Sequence, residues 1–357
     1  MHHGHPQKAL YSPQRHRGRK GLLRKPYERK PAFLPPRPTG YFYHLNYQDV
    51  EEELCRLEVR SLFGQELLAK GVLSPKSLNP SLSPFLRSRI KILYSGQSIA
   101  ELLETMHRNP LVLEEFRIDY LRIQEDEPDF QGRFDLLTDL GMAIEGEPDL
   151  KEPKAKLAVT CYQGQWLFGP VMHNQADWQQ HAQKPHPYSN SFGIKLAKAL
   201  VNIAAQGDFR LRLVDPCCGA GTVLLEGLYG GYDIQGFDIN KKVAWDAQRN
   251  LEHFGFSPRV QCADITDIAD QQAYFDSAIV DLPYGLFTVI KDHTQQLIIR
   301  AAQKLAQRLV FVSHDDISSL LEDCGLRIAD RCTLAKRRVA AIVRHIWVCE
   351  STEQTNP

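Results

Sequence analysis

Four acidic residues stand where apolar runs stop: Asp215, Asp238, Asp264 and Asp281. The run Arg212-Leu213-Val214-Asp215 breaks into Pro216-Cys217-Cys218-Gly219-Ala220-Gly221, a loop with two glycines one residue apart. Missing side chains in such a loop let a ligand approach the backbone closely. Asp238 follows about twenty residues later, where a carboxylate can grip a ribose diol. A dinucleotide fingerprint also needs a third small residue, three positions after the second glycine. Leu224 stands there and counts against a nicotinamide or flavin dinucleotide. At the fourth acid, Asp281-Leu282-Pro283-Tyr284-Gly285 joins a carboxylate, a turn and an aromatic ring. Such a carboxylate can accept hydrogen bonds from an amine and take its proton. The ring of Tyr284 offers a stacking face for a base, a contact worth about 1–3 kcal/mol.

The elements that must hold these residues repeat as strand, loop, helix, strand. Apolar runs predict strands over 212–215, 234–238, 259–264 and 275–280, with helices over 222–229 and 241–254. That alternation implies right-handed crossovers and a parallel sheet. Ligands on such a sheet bind past the carboxyl ends of the strands, near the switch point, and all four acids fall at those ends. Beyond them come a helix over 294–307, a strand over 308–313 and a helix over 316–324. Segments 327–333 and 340–349 read as a closing antiparallel pair, with the basic turn Lys336-Arg337-Arg338 between them.

The Asp281-Leu282-Pro283-Tyr284 stretch resembles the amino-methyltransferases, whose fourth strand ends in Asp/Asn/Ser-Pro-Pro-aromatic. Within that group the chain is most similar to the THUMP-associated tRNA guanosine N2-methyltransferases. The likeness spans nearly all of it after the first forty residues. Asp215 to Gly221 matches the glycine-loop motif, Asp238 the ribose-binding acid, and Asp264 with Ile265 the adenine side. The resemblance implies a class I, Rossmann-like α/β methyltransferase domain with a parallel sheet and antiparallel last strand. S-adenosyl-L-methionine would be held by Asp215, Pro216, Gly219, Gly221, Asp238, Ile239, Asp264 and Ile265. Asp281, Leu282, Pro283 and Tyr284 would orient the base, flipped out of its stack, for direct in-line transfer without a metal or covalent enzyme intermediate. Leu282 departs from the family's proline; it keeps the backbone carbonyl and loses the φ lock. Methylation of guanine N2 in ribosomal RNA, of adenine or cytosine in DNA, and a catalytically silent RNA-binding scaffold are the alternatives. In the family a loop before the first catalytic strand touches the cofactor's methionine end, which makes Ser189 and Ser191 weaker candidates.

The 357 residues suffice for about two domains. Lysine plus arginine and aspartate plus glutamate both total 43, so net charge says nothing about partners. The balance conceals a basic start: residues 1–38 carry Lys8, Arg15, Arg17, Arg19, Lys20, Arg24, Lys25, Arg29, Lys30 and Arg37 against Glu28. That stretch reads as a disordered tail able to contact RNA phosphates. Residues 39–175 mix strands over 41–45, 89–94 and 116–121 with helices over 49–63, 98–106 and 134–144. A hairpin turns at Gln163-Gly164-Gln165. This is an α+β pattern, and its end resembles a THUMP RNA-binding domain. Residues 174–190 read as linker, and 176–350 as the methyltransferase domain. Eight cysteines without a Cys-x-x-Cys pair argue against zinc and against a disulfide framework. No apolar run reaches about twenty residues, so no membrane span is expected and cytoplasm is the default. RNA, most readily tRNA, is the expected partner; a partner subunit remains open.

Overall fold

Along Leu86–Ile92 the residues Leu86, Ser88, Ile90 and Ile92 turn inward while Arg87 is exposed, the period of two expected for a sheet packed on one face. The computed structural model describes residues 38–123, 128–187, 192–271, 274–283, 293–335 and 343–351. Its first half runs β1 (Gly40–Leu45), α1 (Glu52–Phe63), β2 (Gly71–Ser74), β3 (Leu86–Ile92), β4 (Tyr94–Gly96), α2 (Ile99–Arg108), β5 (Leu111–Val112) and β6 (Phe116–Tyr120). It continues with α3 (Phe130–Met142), β7 (Ile144–Glu145), β8 (Ala155–Tyr162) and β9 (Gln165–His173). The main sheet has the order β2-β1-β3-β9-β8-β6, with β4 also paired to β9. The expected hairpin joins β8 to β9, with Gln163 and Gly164 both at positive φ.

Helix ends follow local chemistry. Gly64, left-handed at φ 68°, closes α1 by donating to the Arg60 carbonyl at 2.8 Å. Ser98 caps α2 and Asp129 caps α3, the latter by accepting from the Gly132 amide at 2.8 Å. Because of that cap α3 begins four residues before its apolar pattern does. It also stops short of Ile144, which pairs in β7 with β5.

The second half runs α4 (Ile194–Ala205), β10 (Arg212–Asp215), α5 (Thr222–Tyr229), β11 (Asp233–Asp238), α6 (Lys241–His253), β12 (Val260–Cys262) and α7 (Ile265–Asp270). Then come β13 (Phe275–Asp281), α8 (Thr294–Leu305), β14 (Ala306–Ser313), α9 (Ser318–Asp323), β15 (Leu326–Ala335) and β16 (Val343–Ser351). The sheet order is β12-β11-β10-β13-β14-β16-β15. Strands β10 to β14 pair in parallel, and β16 runs antiparallel to both neighbours. This is the Rossmann-like methyltransferase sheet with one reversed strand. Its order turns between β10 and β13, which places a ligand crevice at their carboxyl ends. The short helix α7 was not expected from the sequence; its six residues carry too little periodicity.

The two sheets share a core. Leu54, Leu57 and Leu62 of α1 belong to the same buried cluster as Ala197, Leu200 and Val201 of α4. At the edge of this contact Arg60 of α1 forks onto Asp330 of β15 at 2.7 and 2.9 Å. The segment between the sheets is fastened down as well: its 3-10 helix Asp177–Gln183 sends His181 to Glu226 of α5 at 2.7 Å. Lys198 of α4 reaches the other oxygen of Glu226 at 3.2 Å, and all three groups are buried. No helix among the described residues is long and apolar enough to cross a membrane.

Leu224, the residue too large for a dinucleotide fingerprint, is accommodated from the opposite side. It packs over Gly236 of β11, where an added Cβ would lie 2.3 Å from Leu224 Cδ1. The small residue that brings helix and strand together therefore sits on the strand. Gly236→Ala overpacks this contact and should cost about 1–3 kcal/mol in denaturant unfolding. In a Leu224→Ala background the same change should cost measurably less, a coupling that a double-mutant cycle reads directly.

Candidate active site

The crevice at the switch point is built from strand ends. β10 delivers Asp215, after which the chain turns through the glycine loop. Gly219 and Gly221 both hold left-handed backbone, φ 53° and 74°, which side chains rarely adopt. The Cys218 amide donates to the Phe237 carbonyl at 2.8 Å, tying the loop to β11. At the end of that strand the Asp238 carboxylate accepts from the Gly219 amide at 3.0 Å and from the Asn240 amide at 2.8 Å. Asp264 caps α7, accepting from the amide and hydroxyl of Thr266 at 2.8 and 2.6 Å through one oxygen. β13 delivers Asp281. All four acids line one cavity of about 650 Å³, together with Pro216, Gly219, Ile239, Ile265, Leu282 and Pro283. Gly221 stays behind the wall, against Ala247 of α6.

Burial lifts Asp215 well above the usual carboxylate range, and the charges of Asp281 and Asp238 add to the effect. Burial also pushes Asp281 up to about 7, against the pull of Arg344. The thiols of Cys217 and Cys218 are raised by burial and by neighbouring acids, so they are inert packing groups and poor nucleophiles. Among the described residues no group of three or more His, Cys, Asp or Glu side chains is arranged to hold a metal ion.

This donor set fits S-adenosylmethionine. Its ribose diol needs an oriented carboxylate, which the two amides on Asp238 provide. Its adenine needs apolar faces, and Ile239, 70% exposed at the mouth, and buried Ile265 offer them. Its ammonium and sulfonium groups need negative charge, supplied by the acid cluster.

Leu282 explains its own departure from the family motif. Its side chain is buried in the core with Val280, Phe311 and Trp347. Its amide donates to the Val312 carbonyl at 3.0 Å, adding a rung between β13 and β14 that proline lacks the N–H to make. The next peptide is held by Gln295 of α8, whose Nε2 donates to the Pro283 carbonyl at 2.9 Å. Tyr284, Ser189, Ser191, the Lys336-Arg337-Arg338 turn and the basic tail lie outside the described residues.

Some positioning residues carried no signal in the sequence. Asn250, fully buried on α6, donates to the carbonyls of Ala220 and His186 and accepts from the His186 amide, each at 2.9 Å. It thereby clamps the glycine loop to the segment entering the domain. Lys184 donates to Thr222 Oγ1 at 2.9 Å just behind that loop. Phe192 closes one side of the cavity, and Arg344 lies over its ring at 5.9 Å. An asparagine or a phenylalanine distant in sequence has no local pattern to announce it.

Two consequences can be measured. Leu282→Pro restores the family motif yet strands the Val312 carbonyl, and should cost at least about 1–3 kcal/mol in thermal unfolding. Asp281 ionises near pH 7 when folded and near 3.8 when free, so the folded chain binds more protons between those values. Stability contributed at this position therefore falls as pH rises from 4 to 7. Asp281→Asn should raise the melting temperature at pH 8, with the gain vanishing below pH 4.

Comparison with known proteins supplies the lineage. Residues 187–324 match the family described as UPF0020, RMKL-like, methyltransferase domain. A tRNA (guanine(10)-N2)-dimethyltransferase of Pyrococcus abyssi is 23% identical over 217 residues, 57% of this chain; the chain spans 64% of that relative's length. A probable tRNA (guanine(10)-N2)-dimethyltransferase of Methanothermococcus thermolithotrophicus is 30% identical over 140 residues, 36% of this chain and 85% of the relative. The crystal structure of TrmN from Thermus thermophilus matches 87% of this chain and 99% of its own, at 18% identity and a TM-score of 0.42. With most of the Methanothermococcus protein covered and the acids of its cavity at the expected strand ends, the chain belongs to the tRNA guanine-N2-methyltransferase family.

Proposed function

We propose that this chain methylates the exocyclic N2 of a guanosine in tRNA, with S-adenosylmethionine as methyl donor. The observation that carries the reading is Asp281, a part-buried carboxylate with a raised proton affinity, in the same cavity as Asp215, Asp238 and Asp264. When bound, the cofactor supplies an electrophilic methyl group on a sulfonium cation. Asp238 and Asp264 hold its ribose and adenine ends, and Asp215 sets negative charge against its cationic groups. Gly219 and Gly221 keep the loop backbone clear of side chains.

Asp281 does the work on the base. A purine amino group is a poor nucleophile because its lone pair is delocalised into the ring. Accepting its N–H bonds, Asp281 and the backbone carbonyl that follows localise that pair and aim it at the methyl group. As the new C–N bond formed, the donor's sulfur–methyl bond would break to leave a neutral thioether, and Asp281 would take the proton shed by the amine. The rung from Leu282 to Val312 and the bond from Gln295 to Pro283 replace the stiffness that the first proline of the family motif supplies. Residues 39–175 act as the RNA-binding half, 176–350 as the methyl-transferring half, and the basic tail 1–38 as a phosphate contact. Membership in a tRNA-modifying family favours RNA over DNA as substrate.

The test is transfer of labelled methyl to unmodified total RNA, followed by nucleoside analysis of the tRNA and ribosomal fractions. Label in N2-methylguanosine of tRNA is expected; label in ribosomal RNA or on another base would overturn the substrate. Asp281→Asn should lower turnover by roughly 10²-fold or more while leaving cofactor affinity within about threefold. Because the ionised carboxylate is the working form, kcat/KM of the parent should climb through pH 7 and level off above it. The variant's residual rate should show no such rise.

A further inference from the structure

A second cavity, of about 480 Å³, adjoins the active site where the two sheets meet. Its floor is apolar, formed by Leu54 and Phe85 from the first half, Trp178 from the connecting segment and Leu196 of α4. Two cations stand at its edge, Lys195 and Arg344. Lys195 is balanced by Glu51 at 2.7 Å. Arg344 has no carboxylate partner among the described residues; its contact is with the ring of Phe192, which walls the active-site cavity. Arg344 therefore occupies the divide between the two cavities, close enough for its charge to reach Asp281.

We propose that this second cavity seats the RNA nucleotide adjoining the methylated one, with Arg344 gripping the phosphate between them. The inference rests on the reading of the chain as an RNA methyltransferase. Consecutive nucleotides present two flat bases joined through one anion. The structure offers the complement in the same sequence: an acidic pocket for a base that donates N–H bonds, a guanidinium that no carboxylate bonds among the described residues, then an apolar recess for a second base. A charge-assisted contact to phosphate fixes register without reading sequence, and an apolar recess accepts any base because every base has an apolar face. Held at both places, the RNA strand cannot slide the target amine away from Asp281.

The experiment uses the full chain and a fluorescently labelled RNA decamer containing a single guanosine, with S-adenosylhomocysteine present. Affinity is measured by anisotropy for the parent and Arg344→Ala, each with unmodified RNA and with RNA carrying one methylphosphonate on either side of the guanosine. Neutralising one of the two phosphates should weaken parent binding about tenfold, as should Arg344→Ala, and the combination should be no worse than either change alone. Leu334→Trp, which intrudes on the recess from a partly buried strand position, should weaken RNA binding about fivefold while the cooperative unfolding transition is retained. Cofactor affinity, measured by calorimetry, should stay within twofold for Leu334→Trp. Independent, multiplying effects of Arg344→Ala and the methylphosphonate would overturn the phosphate contact, and RNA binding indifferent to Leu334→Trp would overturn the recess. Methylation without this coupling sinks the present proposal alone; coupling without methylation sinks the reading of the reaction and leaves the nucleotide site standing.

Discussion

Carboxylates set at the ends of neighbouring parallel strands repel one another, and burial strengthens the repulsion by removing the water that would screen it. Much of the second half is arranged around that constraint. Asp238 is relieved by two backbone amides, Asp264 by the start of a helix it caps, and Asp281 by the nearby charge of Arg344. Among the described residues Asp215 receives one long bond, from the Cys217 amide at 3.3 Å. The crowding of these acids is thus left partly uncompensated among the described residues. A cationic ligand relieves it, which makes affinity for a sulfonium and an ammonium a property of the whole crevice.

The scaffold protects this arrangement from collapse. The glycine loop is pinned from three directions: by β11 through Phe237, by α6 through Asn250 and by the connecting segment through Lys184. That segment is in turn anchored by the buried set His181, Glu226 and Lys198. Ions so enclosed are costly to bury and lend stability only if every partner stays in place; what they impose is a single register between α4, α5 and the chain entering them. The first half of the molecule is bound into the same core through α1. Its sheet is therefore no loosely tethered appendage, and its orientation toward the crevice is fixed by packing.

Much of this was legible in the sequence because it is written in short-range patterns. Acids after apolar runs and glycines in turns place Asp215, Asp238, Asp264 and Asp281 at strand ends without any coordinates. The alternation of strands and helices in the second half yields the sheet, and the hairpin at Gln163 and Gly164 follows from its turn residues. Strands of two to four residues such as β5, β7 and β2 escape, since so few positions establish no period. Asn250, Gln295 and Phe192 escape for a different reason. Their roles are set by what lies across the fold from them, and nothing beside them in the chain differs from ordinary helix or strand sequence. The helix α3 was misplaced by its apolar pattern because Phe130 and Phe134 face solvent, 76% and 58% exposed, whereas its true start is chosen by the Asp129 cap.

The amide of Leu282 bears on how such chains are recognised. A residue that lengthens the ladder between β13 and β14 by one bond does the stiffening that a ring would otherwise do, so the first proline of the signature is one solution among at least two. Searches that demand a proline pair after the acid discard chains built on the other solution. A pattern written for the constraint itself, an acid followed by either a ring or an apolar residue whose amide the next strand captures, would gather both.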